Sequence, residues 1–207
     1  MKSPVWSSYF SPFSPTSDLY RVNTDGFTRP ISVSGTTAVF LSQAQRLTEA
    51  TGGAFDITAT SGGAGFTLEG NEVRLPTSTT RLDPGGLAKG WALERAAELL
   101  VEAGVTSALL HGGTSSIIGL GPETWPIAIA GTDLTIPLQG SALSVSGTLE
   151  RAHVYDPATG LPIDAARLAV VQTASATEAE ALSTALLVTG ELETLITRFP
   201  HARLWLF

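Results

Sequence analysis

Hydrophobic and polar positions divide the 207-residue chain into a helix-rich first part and a strand-rich remainder. Phe40, Ala44, Leu47 and Thr51 recur at helical spacing, which predicts an amphipathic helix over Ser34–Thr51, stopped by Gly52-Gly53. Ala54–Thr58 reads as a short extended piece, residues 60–65 as a glycine-rich loop, and Asn71–Leu75 as a strand. A second helix is expected from about Pro84 to Ala103. Its expected buried stripe is Ala88, Ala92, Ala96, Leu99, Leu100 and Ala103, with Gly104 past its end. Short apolar runs then alternate with turn residues: Val105–His111, Ser115–Leu120, Trp125–Ala130, Leu134–Leu138 and Ala142–Val145. They read as a meander in a largely antiparallel sheet. Leu168–Thr173 is a further strand. Thr177 is the expected cap of a helix running through Thr189, with Leu182, Ala185, Leu186 and Thr189 on one face and Gly190 ending it. A short helix over Glu191–Phe199 and a last strand over Arg203–Phe207 complete an α+β pattern.

Residues 1–30 have no clear period. Trp6, Tyr9, Phe10, Phe13, Tyr20 and Phe27 lie among serines and prolines, and that aromatic density predicts an ordered loop, with one helical turn at Ser17–Asn23. There is no internal repeat or long linker, so a single domain over 1–207 is expected.

Composition narrows the function classes. The chain carries 12 Lys+Arg against 19 Asp+Glu, a net charge of −7, and no basic run, which argues against nucleic acid as a partner. It has no cysteine, so no disulfide, thiolate metal site or lipoprotein anchor cysteine is expected. No stretch has the length of a membrane span, and the first residues lack a signal-peptide apolar region. A cytoplasmic protein is the simplest expectation; a removed targeting segment would leave the same sequence.

Four places hold groups suited to chemistry. In Arg81–Gly90, Asp83 is a good N-cap, Pro84 suits the first helical position, Gly85 and Gly86 permit close approach to the backbone, and Lys89 adds a positive charge. Such a helix start suits an anion such as phosphate, and equally a capped helix with a solvated lysine. Glu180 and Thr184, spaced i and i+4, turn two oxygens toward one point; this suits a hard cation, or a surface carboxylate beside a half-buried threonine. His153 beside Asp156, in a turn from Asp156-Pro157 to Gly160, is a general-base candidate or a structural histidine. His111-Gly112-Gly113-Thr114-Ser115 allows either a close ligand or a tight hairpin.

In order along the chain, these segments resemble the ApbE family of flavin transferases, which attach FMN to proteins. The resemblance rests on Phe13–Asn23, Thr51–Thr58, Leu82–Gly90 (the most specific), Gly112-Gly113 with Trp125–Ile129, His153–Gly160 and Ala179–Ala185. It covers most of the chain. It implies an α+β fold with a largely antiparallel, T-fold-like sheet. It further implies Mg²⁺-dependent transfer of FMN from FAD to a Thr or Ser hydroxyl of an acceptor protein, with release of AMP. Carried onto this sequence, Asp83 and Lys89 would contact FAD, Ala54, Phe55 and Asp56 would line its adenine or ribose side, and Phe13 would lie against the flavin. Val154 would touch FAD through its backbone. The metal would take the Gly86 carbonyl, Glu180 and Thr184, and His153 would be the base.

The chain departs from the family pattern at several points. Glu180 replaces the usual aspartate, Phe13 a frequent tyrosine, and Val145 a threonine. The segment between Thr58 and Asp83 is shorter than usual, and the family's opening strand is not seen before Met1. These departures keep two alternatives open: an FAD-binding or carrier protein without transfer chemistry, and a pyrophosphatase that splits FAD into FMN and AMP.

Overall fold

The computed structural model describes residues 7–148 and 154–207. The chain forms two compact units: residues 1–88 with 151–165, and residues 89–150 with 166–207.

The first unit is helical with a small sheet. The aromatic opening is more helical than expected, with α1 at Ser7–Phe10 and α2 at Asp18–Asp25. The Ser17 side chain accepts the Tyr20 N–H at 3.1 Å and caps α2, while Leu19 and Val22 are fully buried. Helix α3, Gly35–Ala50, starts from Ser34, whose hydroxyl oxygen accepts the Thr37 N–H at 3.1 Å. The expected face holds: Phe40, Ala44, Leu47 and the C-terminal Thr51 are buried, and Phe10 packs on Phe40 with ring centroids 4.3 Å apart. Strands β1 (Ile31–Ser32), β2 (Thr67–Glu69) and β3 (Glu72–Arg74) form an antiparallel sheet in the order β1-β3-β2. Residues 54–58 are not extended. They form a turn, because Asp56 Oδ1 accepts both the N–H and the hydroxyl of Thr58, each at 2.7 Å, and curls the backbone on itself.

Asp18 fastens this unit together. It is 6% exposed, and its Oδ2 accepts the Ser34 N–H at 2.9 Å and the Thr37 hydroxyl at 2.6 Å, so the start of α2 is tied to the start of α3. Arg21 bonds Oδ1. Burial alone would raise the Asp18 pKa, but the Thr37, Ser34 and Arg21 hydrogen bonds outweigh it and hold the group below its ordinary value of 3.8. A depressed carboxyl pKa contributes stability above the unfolded-state value, and that stability is lost as pH falls through the folded-state value. Asp18→Asn is therefore expected to cost about 2–3 kcal/mol at pH 7 and much less near pH 3. Urea unfolding at the two pH values checks this; an equal penalty at both would reject the ionic role.

The second unit is a five-stranded antiparallel sheet in the order β12-β11-β8-β5-β4. Its strands are β4 (Ala108–His111), β5 (Ser116–Leu120), β8 (Ser141–Gly147), β11 (Leu168–Thr173) and β12 (Arg203–Leu206). The expected meander is interrupted. Strands β6 (Trp125–Ala128) and β7 (Thr135–Leu138) pair only with each other, and β5 pairs directly with β8. The β6–β7 ribbon supplies Ile136 and Leu138, which pack with Ile117, Leu143 and Val170 on one face of the sheet. On the other face lies α5, Ala176–Thr189, with Ala181, Leu182, Ala185, Leu186 and Leu187 fully buried. Two covered faces explain why β8 reads as a buried run, Ala142-Leu143-Ser144, instead of an alternating one. The remaining helix, α6, is Leu192–Arg198.

Helix α4, Ala88–Glu102, begins later than expected and buries a different stripe. Asp83 Oδ1 accepts the Gly85 N–H at 2.9 Å and makes a turn through Leu87, so regular helix starts only at Ala88. The buried positions are Gly90, Trp91, Leu93 and Ala97, and Leu99 is 61% exposed. The alanine periodicity misled because alanine is tolerated on either face. The larger Trp91 and Leu93 set the rotation of the helix. Helix α5 is capped by Ser175, not Thr177: Ser175 Oγ accepts the Glu178 N–H at 3.1 Å.

Candidate active site

The candidate residues fall into two sets, one in each unit. In the first unit, a cleft of about 640 Å³ is lined by Phe13, Tyr20, Asn23, Thr60, Arg81 and Asp83, among others. Phe13 is 88% exposed there, an apolar ring held out to solvent. Asn23 clamps the Leu82 backbone: its amide donates to the Leu82 carbonyl at 3.0 Å and its oxygen accepts the Leu82 N–H at 2.7 Å. The Asp83 N–H donates to the Ile57 carbonyl at 2.7 Å. The spacing Ser17, Asp18, Leu19, Asn23 thus has a separate physical job at each position: a cap, a tie, a core contact and a clamp.

Ala54, Phe55 and Asp56 lie in the turn after α3. The Phe55 ring is 2% exposed, so a ligand at this turn would meet backbone and not the ring. Asp56 is engaged with Thr58 as described. The Val154 carbonyl accepts the Ile163 N–H at 2.9 Å, and Val154 itself is buried. Strands β9 (Tyr155–Asp156) and β10 (Leu161–Pro162) make a hairpin there. Asp156 builds its turn, accepting the Ala158 N–H at 2.9 Å and the Thr159 hydroxyl at 3.1 Å. His153 lies outside the described residues. Gly86 follows Asp83 in the turn before α4 and belongs to this first set.

In the second unit the structure brings Lys89 and Glu180 together. Lys89 Nζ is 3.3 Å from Glu180 Oε1, with Glu180 only 3% exposed and the lysine about half-exposed. The Ser116 hydroxyl donates to the same Oε1. Glu180 Oε2 is buried and has no hydrogen-bond partner among the described residues. The surface-carboxylate reading of Glu180 therefore falls. A buried carboxylate oxygen without a donor is costly, and a bound cation is one partner that would offset that cost. Thr184 lies one turn further along α5 and is half-buried. A carboxylate and a hydroxyl are hard oxygen donors of the kind Mg²⁺ takes, so this donor set fits a small divalent cation. No group of three or more His, Cys, Asp or Glu side chains is placed to hold a metal among the described residues, so any cation here would also need backbone, hydroxyl, water or ligand oxygens.

The elements around Glu180 are held rigidly. Glu94 of α4 reaches the start of α5, where Oε1 accepts the Ser175 hydroxyl at 2.6 Å and the Thr177 N–H at 3.1 Å, and Oε2 accepts the Thr177 hydroxyl at 2.6 Å. Ser183 Oγ is 3.0 Å from Ser144 Oγ and 2.8 Å from Ser146 Oγ, which seats α5 on β8. Val145, between those serines, points to the opposite face and packs with the apolar layer. The hydroxyl lost at Val145 is thus not on the Glu180 side. The glycines after His111 make the β4–β5 hairpin: the Gly112 N–H donates to the Ser116 carbonyl at 2.8 Å, and Gly113 has φ 80°. Sequence reasoning missed Ser116 and Glu94, since a serine opening a strand and a glutamate within a helix carry no motif.

Fold and site define an α+β protein with an antiparallel sheet backed by a buried helix, and on that helix a desolvated carboxylate suited to a cation. The chain belongs to the ApbE family, whose model matches residues 5–63 and 62–202. It is 33% identical over 143 residues to the FAD:protein FMN transferase of Rhodobacter capsulatus, a match covering 61% of this chain and 27% of that protein. It is 26% identical over an alignment of 230 residues to the FAD:protein FMN transferase of Vibrio cholerae, covering 87% of this chain and 69% of that one. The chain thus spans about a quarter of the length of the first relative. The ApbE protein of Thermotoga maritima has the same fold, with a TM-score of 0.84, 24% identity, and coverage of 96% of this chain and 81% of that one.

Proposed function

We propose that this protein transfers FMN from FAD to a Thr or Ser hydroxyl of an acceptor protein, with a divalent cation, Mg²⁺ in the cell, and releases AMP. Family membership and the names of the two relatives support the reaction class. The observation that carries it in this chain is the buried Glu180 with its unpartnered Oε2 beside Lys89. In this reading the chain acts as one domain over 1–207. Among the described residues no helix is long and apolar enough to cross a membrane. The cytoplasm is the proposed compartment.

The acceptor oxygen attacks the FMN-side phosphorus, the P–O bond to the AMP phosphate breaks, and the acceptor proton passes to His153. FAD carries a charged pyrophosphate, and the protein is net negative, so local positive charge must meet it; Lys89 supplies part of it. Glu180 and Thr184 would hold the cation, with further oxygens completing its shell. When bound, it would withdraw charge from the phosphate oxygens. Asp83 and the turn at Ala54, Phe55 and Asp56 orient FAD, Val154 contributes backbone, and the exposed Phe13 ring stacks on the flavin.

Mass analysis after incubation with FAD, Mg²⁺ and a flavin-accepting domain tests the reading. An FMN adduct and AMP are expected. Free FMN and AMP without an adduct would instead show a pyrophosphatase, and intact FAD bound despite chelator a carrier. His153→Ala is expected to bind FAD as before and to transfer FMN about 10²–10⁴-fold more slowly. Unchanged transfer would remove His153 as the base.

A further inference from the structure

We infer that Ser116 is a positioning residue, which orients the Glu180 carboxylate so that Oε2 is the oxygen presented to a divalent cation. The inference rests on the reading of Glu180 as a metal ligand, and it adds a residue from strand β5 that no motif marks.

Ser116 opens β5 and is 1% exposed. Its backbone is fixed on both sides: it is in register with Ser144 of β8, and its carbonyl accepts the Gly112 N–H at 2.8 Å. Strand alternation puts Ser116 and Ser144 on the α5 face while Ile117 enters the opposite apolar layer. The hydroxyl can therefore reach α5, and it donates to Glu180 Oε1. Lys89 Nζ approaches that same oxygen at 3.3 Å. Both donors are thus on Oε1, and Oε2 has none among the described residues.

This division of the two oxygens follows from the donors' positions. A glutamate has one more rotatable bond than an aspartate, and its terminal torsion is broad. Left alone, the carboxylate would turn either oxygen toward Lys89. A half-exposed lysine follows such motion, because its flexible stem and hydrated charge define no single geometry. A serine on a paired strand does not follow it. Hydrogen bonds to ionised carboxylates are short and strong, so pinning Oε1 also fixes the plane of the group and the direction of Oε2. Partners of this kind behind a ligating group commonly change metal affinity 10–100-fold.

Titration with Mn²⁺ alone, read from the electron paramagnetic resonance signal of the free ion, tests the inference. Ser116→Ala is expected to weaken Mn²⁺ affinity about 10–100-fold, with a melting temperature within a few degrees of the parent. In a Glu180→Asp background the shorter side chain draws away from Ser116, so the same serine change is expected to alter affinity by less than about threefold. Affinity within twofold of the parent for Ser116→Ala, or an equal loss in both backgrounds, overturns the positioning role. Should Ser116→Ala fail to fold, Ser116→Cys keeps the side-chain volume close with a poor donor, and the same loss is expected of it. Glu180→Ala separates the two claims. If it leaves Mn²⁺ binding intact, the ligand assignment itself is wrong; if it abolishes binding while Ser116→Ala does not weaken it, only the present inference fails.

Discussion

Glu180→Gln is expected to reduce FMN transfer by at least about a hundredfold while leaving the metal-free protein as stable as the parent or more stable. The two effects share one cause. Glu180 is 3% exposed, and its Oε2 has no donor among the described residues. A buried charge with an unmet oxygen destabilises the folded state, by about 1–3 kcal/mol for the missing hydrogen bond. Glutamine keeps an acceptor for the Ser116 hydroxyl and removes the charge. The Lys89 ion pair lost with it involves a half-exposed lysine, and such pairs contribute little. Mg²⁺ is expected to raise the melting temperature of the parent and not of the variant, since a ligand bound only to the folded state stabilises it. Calorimetry with and without Mg²⁺, beside the transfer assay, gives both readings. A variant that transfers FMN normally, or one that unfolds several kcal/mol more easily without metal, would show that Glu180 has been misread.

Gly90→Ala is expected to be strongly destabilising for a single-methyl change, costing about 3 kcal/mol or more. A Cβ at position 90 would lie 2.4 Å from the Ala176 carbonyl oxygen, 2.6 Å from its carbon and 2.9 Å from the Thr177 nitrogen. All three atoms are backbone, so no rotamer change relieves the clash. Helix α4 would have to move away from the start of α5, breaking the Glu94 contacts with Ser175 and Thr177 as it did so. The useful control is Gly104→Ala, where φ is +84° and no atom lies within 4 Å. That change carries only the left-handed backbone cost, about 1 kcal/mol. Urea unfolding of the two variants should rank Gly90→Ala far below Gly104→Ala; the reverse order would mean that α4 and α5 do not approach as described.

Gly90 also shows how differently a residue reads in sequence and in space. It stands in the chain's most specific segment, where the glycines before it draw attention to ligand access. In the structure Gly90 serves helix packing, whereas Gly85 and Gly86 lie in the Asp83 turn. Helix α4 was legible as a helix, yet its buried face was not. Alanines at helical spacing do not say which side is buried, and Trp91, Leu93 and Gly90 decided it by volume and close approach.

The aromatic opening was legible in part: the helical turn expected at Ser17–Asn23 is the start of α2, while its extension to Asp25 and the α1 turn were not, for a related reason. Helix α2 lacks a long apolar period, and Ser17 and Asp18 stabilise it through bonds to the chain around them. Residues 54–58 failed as an extended piece because one side chain, Asp56, outweighed the β-branched residues around it.

What the sequence determined by itself was the α+β class, most strand positions, the long helices and the family. Each of these depends on short-range period, capping and ordered motifs, which are local properties of the chain. The tertiary structure alone decided that β6 and β7 leave the meander, that Ser175 and Glu94 together start α5, and that Val145 faces away from Glu180. It also decided the state of Glu180. Spacing put that carboxylate on one helical face with Thr184. Only the packing of α5 on the sheet could show that water is excluded there, that Ser116 and Lys89 converge on one oxygen, and that the other has no donor among the described residues. Desolvation and convergence belong to residues far apart in sequence, and no local pattern encodes them.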